Sequence, residues 1–233
     1  MKLTTRCLLA FTSRLRYPST SVLNPMEVEI KIRFQSAEDL ENFEACLGKP
    51  PKAIEQQENY YFDGSEHELE QQRTVFRLRK ISKSTLSQST KQMAAKITLK
   101  GNAILEAGIS RVQETEESFE YDVVDDIVKN PNSISQYSSK SPLLDSIIKN
   151  YPVNSYKLVG YYNTLRKLYE WEEYILAVDN TEFPFGRGYE VELESEDAEV
   201  AKEKLVSFLD NNQIKYSFSK RNKFVNMRMG EVL

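Results

Sequence analysis

A single histidine, His67, in 233 residues leaves no material for a histidine-rich zinc site or a Ser-His-Asp triad. Two cysteines, Cys7 and Cys46, are too few for a disulfide framework or a thiolate metal site. No apolar run approaches the roughly 20 residues that a membrane helix needs. Basic residues are not in surplus either: 31 Lys and Arg stand against 35 Asp and Glu, a net charge of −4. That balance argues against duplex nucleic acid as the partner. Any chemistry therefore falls to carboxylates, lysines and arginines. With 40% hydrophobic and 28% charged residues, the chain is globular and has room for one large domain or two small ones.

The overall charge hides an asymmetry. Residues 1–25 carry Lys2, Arg6, Arg14 and Arg16, no acid, and seven Ser or Thr, which leaves −8 on the remainder. Basic, hydroxyl-rich and acid-free is the composition of a mitochondrial or plastid transit peptide. The competing reading is an untranslated leader, with Met26 as the true start. The expected locations follow: mitochondrion or plastid for a transit peptide, cytoplasm otherwise. The folded domain is expected over 26–233.

From Met26 the pattern changes. Glu27, Glu29, Lys31 and Arg33 alternate with Val28, Ile30, Ile32 and Phe34, a period-2 strand with one charged and one apolar face. Ser36 then reads as the N-cap of a helix striped by Leu40, Phe43 and Leu47 and stopped by Gly48 and Pro50-Pro51. Strand patterns recur over 54–63, 73–82, 92–101, 108–121, 156–171, 173–180, 188–195 and 214–229. The Ser/Thr/Gln-rich stretch 82–92 reads as a flexible hairpin loop. Helices are expected at 122–130, 142–150 and 196–212, the first two separated by a Pro/Ser/Asn-rich loop. The fold class is α+β, dominated by a closed or nearly closed antiparallel barrel. Cys46 reads as a small core residue and His67 as a loop residue. Trp171, Tyr161 and Tyr162 read as barrel packing.

The charged strand faces are sorted by sign. Arg73, Arg77 and Arg79 share one parity, as do Lys96 and Lys100, whereas Glu190, Glu192 and Glu194 form a purely acidic face. Same-face neighbours on a strand lie about 6.6 Å apart, so an acid pair such as Glu27/Glu29 can reach one metal ion or two adjacent ones. Each face taken alone reads equally as the solvated side of a half-covered sheet. Turned inward together, they would make a lumen with an acidic and a basic cluster. A polyanion carrying a divalent metal would satisfy both clusters, because carboxylates hold hard cations while Arg and Lys hold phosphate oxygens.

Glu27-x-Glu29-x-Lys31 resembles the E-x-E-x-K signature of the triphosphate tunnel metalloenzymes, the CYTH superfamily. The likeness continues in order through Glu58-Asn-Tyr-Tyr-Phe-Asp63, Val75-Phe-Arg-Leu-Arg79, Ile97-Thr-Leu-Lys100 and Gly108-Ile-Ser-Arg-Val112. It then runs through Arg166, Tyr169-Glu-Trp171, Ala177-Val-Asp-Asn-Thr181, Tyr189-Glu-Val-Glu192 and Lys223-Phe224. It covers 26–233 and is nearest to the plant-type single-domain triphosphatases. The resemblance implies an eight-stranded antiparallel β-barrel forming a tunnel, with flanking helices, and hydrolysis of linear triphosphates with Mg²⁺ or Mn²⁺. By position, Glu27, Glu29, Asp179, Glu190 and Glu192 would be metal ligands. Lys31, Arg77, Arg79, Lys100, Arg111, Arg166 and Lys223 would hold the phosphate chain, with Lys31 and Arg79 catalytic. A metal-activated water would attack the terminal phosphoryl group, so no histidine is required.

Four positions depart from the family pattern. The Arg111 face continues into Gln113 and Thr115, where relatives carry acids, while Glu114 and Glu116 fall on the other parity; Asn102 and Ala177 replace a lysine and an acid. Inorganic tripolyphosphate is the expected substrate and thiamine triphosphate the alternative. Cyclisation of ATP ranks lower because nothing identifiable reads an adenine. A non-catalytic polyphosphate-binding barrel and an interaction scaffold are the readings from other classes. The chain is expected to be a monomer that binds neither nucleic acid nor membrane.

Overall fold

The computed structural model describes residues 26–86 and 88–233. The leader reading of 1–25 lies outside the described residues. The chain runs β1 (Met26–Phe34), α1 (Ala37–Cys46), β2 (Ala53–Gly64), α2 (Glu68–Gln71), β3 (Val75–Thr85), β4 (Gln88–Lys100), β5 (Ile104–Glu106) and β6 (Ile109–Phe119). It continues with α3 (Tyr121–Lys129), a 3₁₀ helix (Pro131–Lys140), α4 (Pro142–Asn150), β7 (Tyr156–Trp171), β8 (Tyr174–Phe183) and β9 (Gly186–Glu194). Last come α5 (Ala198–Asn211), β10 (Tyr216–Phe218) and α6 (Lys223–Met229).

All strand pairs are antiparallel. Eight strands follow one another around a ring in the order β1-β9-β8-β7-β2-β3-β4-β6. The ring shuts where β6 returns to β1, placing Ser110 opposite Glu29 and Ile109 opposite Ile30. Strands β5 and β10 lie outside this ring, on β6 and β1. The expected eight-stranded barrel and its α+β class are therefore the observed architecture.

The period-2 strands explain why the barrel is polar inside. Each has one apolar face, and helices cover those faces from outside. Ile30, Ile32 and Phe34 of β1 and Val191 and Leu193 of β9 pack under α1 (Leu40, Phe43) and α5 (Ala201, Leu205, Leu209). On the other flank Phe76, Leu78 and Ile97 pack under Val124, Ile127, Leu144 and Ile147 of α3 and α4, with Ile134 of the 3₁₀ helix. Each such fully buried side chain contributes roughly 1.5–3 kcal/mol of transfer free energy. With apolar residues consumed outside, strict alternation leaves the charged residues facing the lumen.

Local signals set the helix ends. Ser36 Oγ accepts from the Asp39 amide at 3.1 Å, and Gly48, at φ 66°, leaves α1 in a left-handed turn that only glycine adopts freely. Helices α3, α4 and α5 fall within two residues of the expected spans.

Four local expectations are corrected. The expected strand 214–229 is a three-residue strand followed by helix α6: Asn222 accepts from the Val225 amide at 2.9 Å as an N-cap, and Gly230 at φ 71° ends the helix. The supposed flexible stretch 82–92 is two strands continuing almost to their turn, with Ser82 opposite Met93 and Lys83 opposite Gln92. Its hydroxyl-rich composition suits β structure as well as a loop. The Pro/Ser/Asn-rich loop between α3 and α4 is a 3₁₀ helix started by Pro131. Cys46 is exposed, because it sits off the Leu40/Phe43/Leu47 stripe.

Candidate active site

The lumen is a cavity of about 690 Å³. Its wall follows strand parity, odd residues from β1, β2 and β3 and even residues from β4, β6, β7 and β9, except for Phe62 and Val159 at the β2–β7 register shift. Helix α6 lies against it, and Lys223 and Phe224 from its first turn reach the wall. Glycine at position 160 makes that approach possible, since a Cβ there would sit 2.5 Å from the Met227 sulfur.

One side of the lumen is acidic. Glu27 and Glu29 of β1 and Glu194 of β9 bring carboxylate oxygens within 4.8 Å of one another. The ladder produces this, because Glu29 pairs directly with Glu194. Burial pushes the Glu194 carboxyl up, and the charges of Glu27, Glu29 and Glu192 add to the push. Glu27 is also raised, by burial and by its hydrogen bond with Glu114, against the pull of Lys100 at 2.8 Å. These acids crowd where the lumen meets solvent, Glu29 buried and Glu194 exposed, and hard cations are bound by such all-oxygen sets.

Deeper, beneath α6, every charge is matched. Lys223 Nζ lies 2.9 Å from Asp179, 2.8 Å from Glu190 and 2.5 Å from Glu192. Arg166 makes a two-pronged pair with Asp179 (2.8 and 2.7 Å) and reaches Glu192 at 2.5 Å. Lys31 sits between Glu29 and Glu192, the latter at 2.7 Å. Burial favours neutral Lys31 and neutral Glu192, yet the surrounding opposite charges outweigh it and drive the lysine up and the glutamate well down. Asp179 is 0% exposed and held low by Arg166 and Lys223 against the upward push of burial.

The β3–β4–β6 wall carries the remaining cations. Arg77 donates to Thr98 Oγ1 at 3.0 Å and to Glu116 at 3.3 Å, with Glu114 at 3.7 Å. Lys96 pairs with Glu116 at 2.5 Å, and Lys100 bridges Glu27 and Glu114. Burial raises the Glu116 carboxyl, but Lys96 and Arg77 win and hold it at about 2. Arg79 differs from its neighbours. Its Nε donates to Asn59 Oδ1 at 2.7 Å, and among the described residues it has no carboxylate partner. Burial lowers its pKa, and the charges of Arg77 and Arg166 lower it further.

A charged lumen with an acid triad on one wall and a free guanidinium on another, inside an eight-stranded antiparallel ring, agrees with the family comparison. The CYTH domain family model matches residues 25–224. The chain belongs to the CYTH family. Among solved structures it is similar to HpAC1 from Hippeastrum, named as an adenylyl cyclase and described as having a dominant triphosphatase activity. The two share 27% identity and a TM-score of 0.81, covering 89% of this chain and 97% of that one. A Bacillus halodurans protein designated an adenylate cyclase shares 21% identity with a TM-score of 0.61, over 86% of this chain and 97% of that one. PH1819 of Pyrococcus horikoshii shares 17% with a TM-score of 0.53, over 84% and 96%. These last two likenesses are of fold alone. No curated protein matches the chain significantly.

Within this CYTH barrel the expected site residues fall into three groups. Glu27, Glu29, Lys31, Arg77, Arg79, Lys100, Arg166, Glu192 and Lys223 line the cavity. Asp179 and Glu190 face the same way but are buried in ion pairs with Lys223. Of the five expected metal ligands, Glu27 and Glu29 join the acid triad. Asp179, Glu190 and Glu192 lie apart from it among Lys223, Arg166 and Lys31, while within the triad Lys100 reaches Glu27 and Lys31 reaches Glu29.

Arg111 is misplaced by the sequence reading. It lies on the outer face of β6, its side chain 42% exposed, 3.6 Å from Glu199 of α5. Ser110, Val112, Glu114 and Glu116 face inward instead. The parity error also removes the supposed departure at Gln113 and Thr115, since the acids expected there are Glu114 and Glu116. Lys223 reaches the lumen from a helix and not from a strand. Glu194, Glu114, Glu116 and Asn59 were missed. Glu194 was legible from its shared parity with Glu190 and Glu192 and the cross-strand pairing of β1 with β9. Nothing short of a register assignment could have placed Glu114.

Proposed function

We propose that this protein is a divalent-metal-dependent hydrolase of linear triphosphates, with inorganic tripolyphosphate as its preferred substrate. One observation carries the reading: a single closed lumen holds a convergent acid triad and a guanidinium with no acid of its own. The triad of Glu27, Glu29 and Glu194 offers only carboxylate oxygens, the donor set of Mg²⁺ or Mn²⁺. Burial first, and then neighbouring acids, raise the carboxyls of Glu27 and Glu194, against the pull of Lys100 on Glu27. When bound, a divalent cation there supplies charge neutralisation and a more acidic water.

The chain's own residues do the positioning that phosphoryl transfer chiefly requires. Arg79 and Arg77, two residues apart on β3, present guanidinium groups to phosphoryl oxygens. Lys100 on β4 and Lys31 on β1 flank the acid triad, where they neutralise charge as it shifts to the leaving oxygen. Arg166 and Lys223 hold the acids beneath them and fix the inner end of the chain-binding track.

The aromatic residues favour an inorganic chain over thiamine triphosphate. Tyr61, Tyr162 and Phe183 pack at tilted angles with one another and with Phe224 of α6, so the rings that line the lumen there are engaged with each other. Away from α6 the apolar wall is Ile81, Ala94 and Leu168, which offer no ring to stack on a heterocycle. The dominant triphosphatase activity described for HpAC1 supports the same choice over cyclisation. The test is phosphate release from tripolyphosphate, thiamine triphosphate and ATP side by side, each with Mg²⁺, Mn²⁺ and chelator. Tripolyphosphate should be cleaved fastest, and chelator should abolish cleavage. No release from any of the three with either metal would overturn the reading.

A further inference from the structure

Asn59 lies on β2, opposite Arg79 on one side and Tyr162 on the other. It is 1% exposed, its Oδ1 accepts from Arg79 Nε, and its Nδ2 has no hydrogen-bond partner. A buried donor left unpaired is rare in folded proteins and calls for an explanation. The neighbouring lumen cations are held differently. Arg77, Arg166, Lys31, Lys100 and Lys223 each contact at least one carboxylate. Arg79 alone in this set is held by a neutral amide.

An amide oxygen and a carboxylate oxygen orient a guanidinium equally well, but only the carboxylate cancels its charge. We propose that Asn59 is a positioning residue: it fixes Arg79 through Nε while leaving the full positive charge for an incoming polyphosphate. The proposal rests on the triphosphate reading of the lumen and names the part of the site that takes the anion first. A phosphate reaching Arg77 or Arg166 must compete with Glu116, Asp179 or Glu192. At Arg79 it displaces no acid. The lowered pKa of Arg79, set by burial and then by Arg77 and Arg166, agrees with a cation that makes no direct ion pair, Glu116 acting on it only through space. The same logic explains the orphaned Nδ2, since an aspartate would leave no unpaired donor but would neutralise the arginine.

The experiment measures binding of inorganic tripolyphosphate by calorimetry, with chelator and with Mg²⁺, alongside thermal unfolding. The proteins are the parent, Asn59→Asp, Asn59→Leu and Arg79→Ala. Asn59→Asp should raise the melting temperature, because it supplies the missing counter-charge, and lower affinity in chelator by at least about tenfold. Asn59→Leu should fold as the parent does and bind more weakly, with KM raised more than kcat is lowered. The opposed signs of stability and affinity in Asn59→Asp separate this role from a structural one, which would move both down together. If Arg79→Ala loses affinity but Asn59→Asp and Asn59→Leu bind like the parent, the positioning role is overturned and the triphosphate reading stands. Should Asn59→Asp fail to fold, parent-like affinity in Asn59→Leu is the overturning result. A parent that binds no tripolyphosphate at all overturns the triphosphate reading, and the positioning role with it.

Discussion

The two ends of the lumen use the same residue types to opposite effect. Beneath α6, Lys223, Arg166, Asp179, Glu190 and Glu192 satisfy one another within 3 Å. Toward Glu27, Glu29 and Glu194 the acids crowd one another: Lys100 reaches Glu27 and Lys31, shared with Glu192, reaches Glu29, but Glu194 makes no ion pair among the described residues and Arg79 has only an amide. Matched charge buried in this way holds structure: its desolvation cost is met by the partner, and removing one member strands the others. Unmatched charge costs stability in the free protein and is compensated when a ligand arrives. The difference teaches where to look for function. In a barrel whose whole interior is ionic, the ligand site is where the ledger of charge fails to balance.

The sharpest way to break this comparison is to delete one member of the unmatched region. Arg79→Ala and Glu29→Gln should each lower tripolyphosphate turnover on the order of 100-fold or more. Arg79→Ala should leave thermal stability unchanged or slightly higher, because one of several crowded positive charges is gone. Raised Mg²⁺ or Mn²⁺ should partly rescue Glu29→Gln and should not rescue Arg79→Ala. Activity measured against metal concentration decides this. Identical metal dependence in Glu29→Gln and the parent would remove that residue from the metal site.

Deleting a member of the matched region should show the converse. Lys223→Ala leaves Asp179, Glu190 and Glu192 buried with one fewer cation among them. Breaking such a cluster costs about 3 kcal/mol or more, read as a lowered denaturant midpoint. The comparison fails if Lys223→Ala unfolds at the parent's midpoint.

A subtler effect is the pH dependence of the acid triad. Glu27 and Glu194 have folded-state pKa values above their unfolded ones. Their proton binding therefore favours the folded metal-free protein, and this contribution is lost as pH rises through the raised values. Glu116 has the opposite sign: held at about 2, it stabilises above the ordinary glutamate range and loses its contribution as pH falls toward 2. A divalent cation competes with protons at the triad. Added Mn²⁺ should thus raise the melting temperature more at pH 7.5 than at pH 5. An equal shift at both pH values would place metal binding elsewhere.

Much of this was legible in the primary structure because period-2 strands announce their faces. Parity put Glu27, Glu29 and Lys31 on one face and Arg77 and Arg79 on another, while the sorting of faces by sign and the family resemblance suggested that these faces share an interior. What could not be read was register. The separation of Asp179, Glu190 and Glu192 from the Glu27–Glu29–Glu194 triad depends on Glu29 pairing with Glu194, and Lys31 with Glu192. The role of Asn59 is invisible until β2 is set against β3, because an isolated asparagine on a strand carries no charge signal. Helix α6 was misread for a related reason. Phe224 and Met227 suit a strand or a short helix equally well, and only the Asn222 cap and Gly230 distinguish them.

The smallest expected effect tests the most consequential of these register assignments. Arg111 was expected in the lumen, and the structure places it outside, across β6 from Ser110 and Val112. In the β1–β6 ladder Arg111 pairs with Val28, whose side chain packs on the outer core under α1 and α5, whereas Ser110 pairs with Glu29. A one-residue slip would turn every side chain of β6 to the opposite face, carrying Glu114 and Glu116 out of reach of Arg77 and Lys100. Arg111→Ala removes only a solvated contact with Glu199, worth about 0–1 kcal/mol. Its tripolyphosphate kcat and KM should stay within about twofold of the parent, whereas Glu114→Ala, which leaves Lys100 with Glu27 alone and loosens Arg77, should raise KM well beyond that. Were the two variants to exchange behaviour, with Arg111→Ala crippled and Glu114→Ala silent, β6 would be in the other register. The acids matching the β3–β4 cations would then have to come from elsewhere in the barrel.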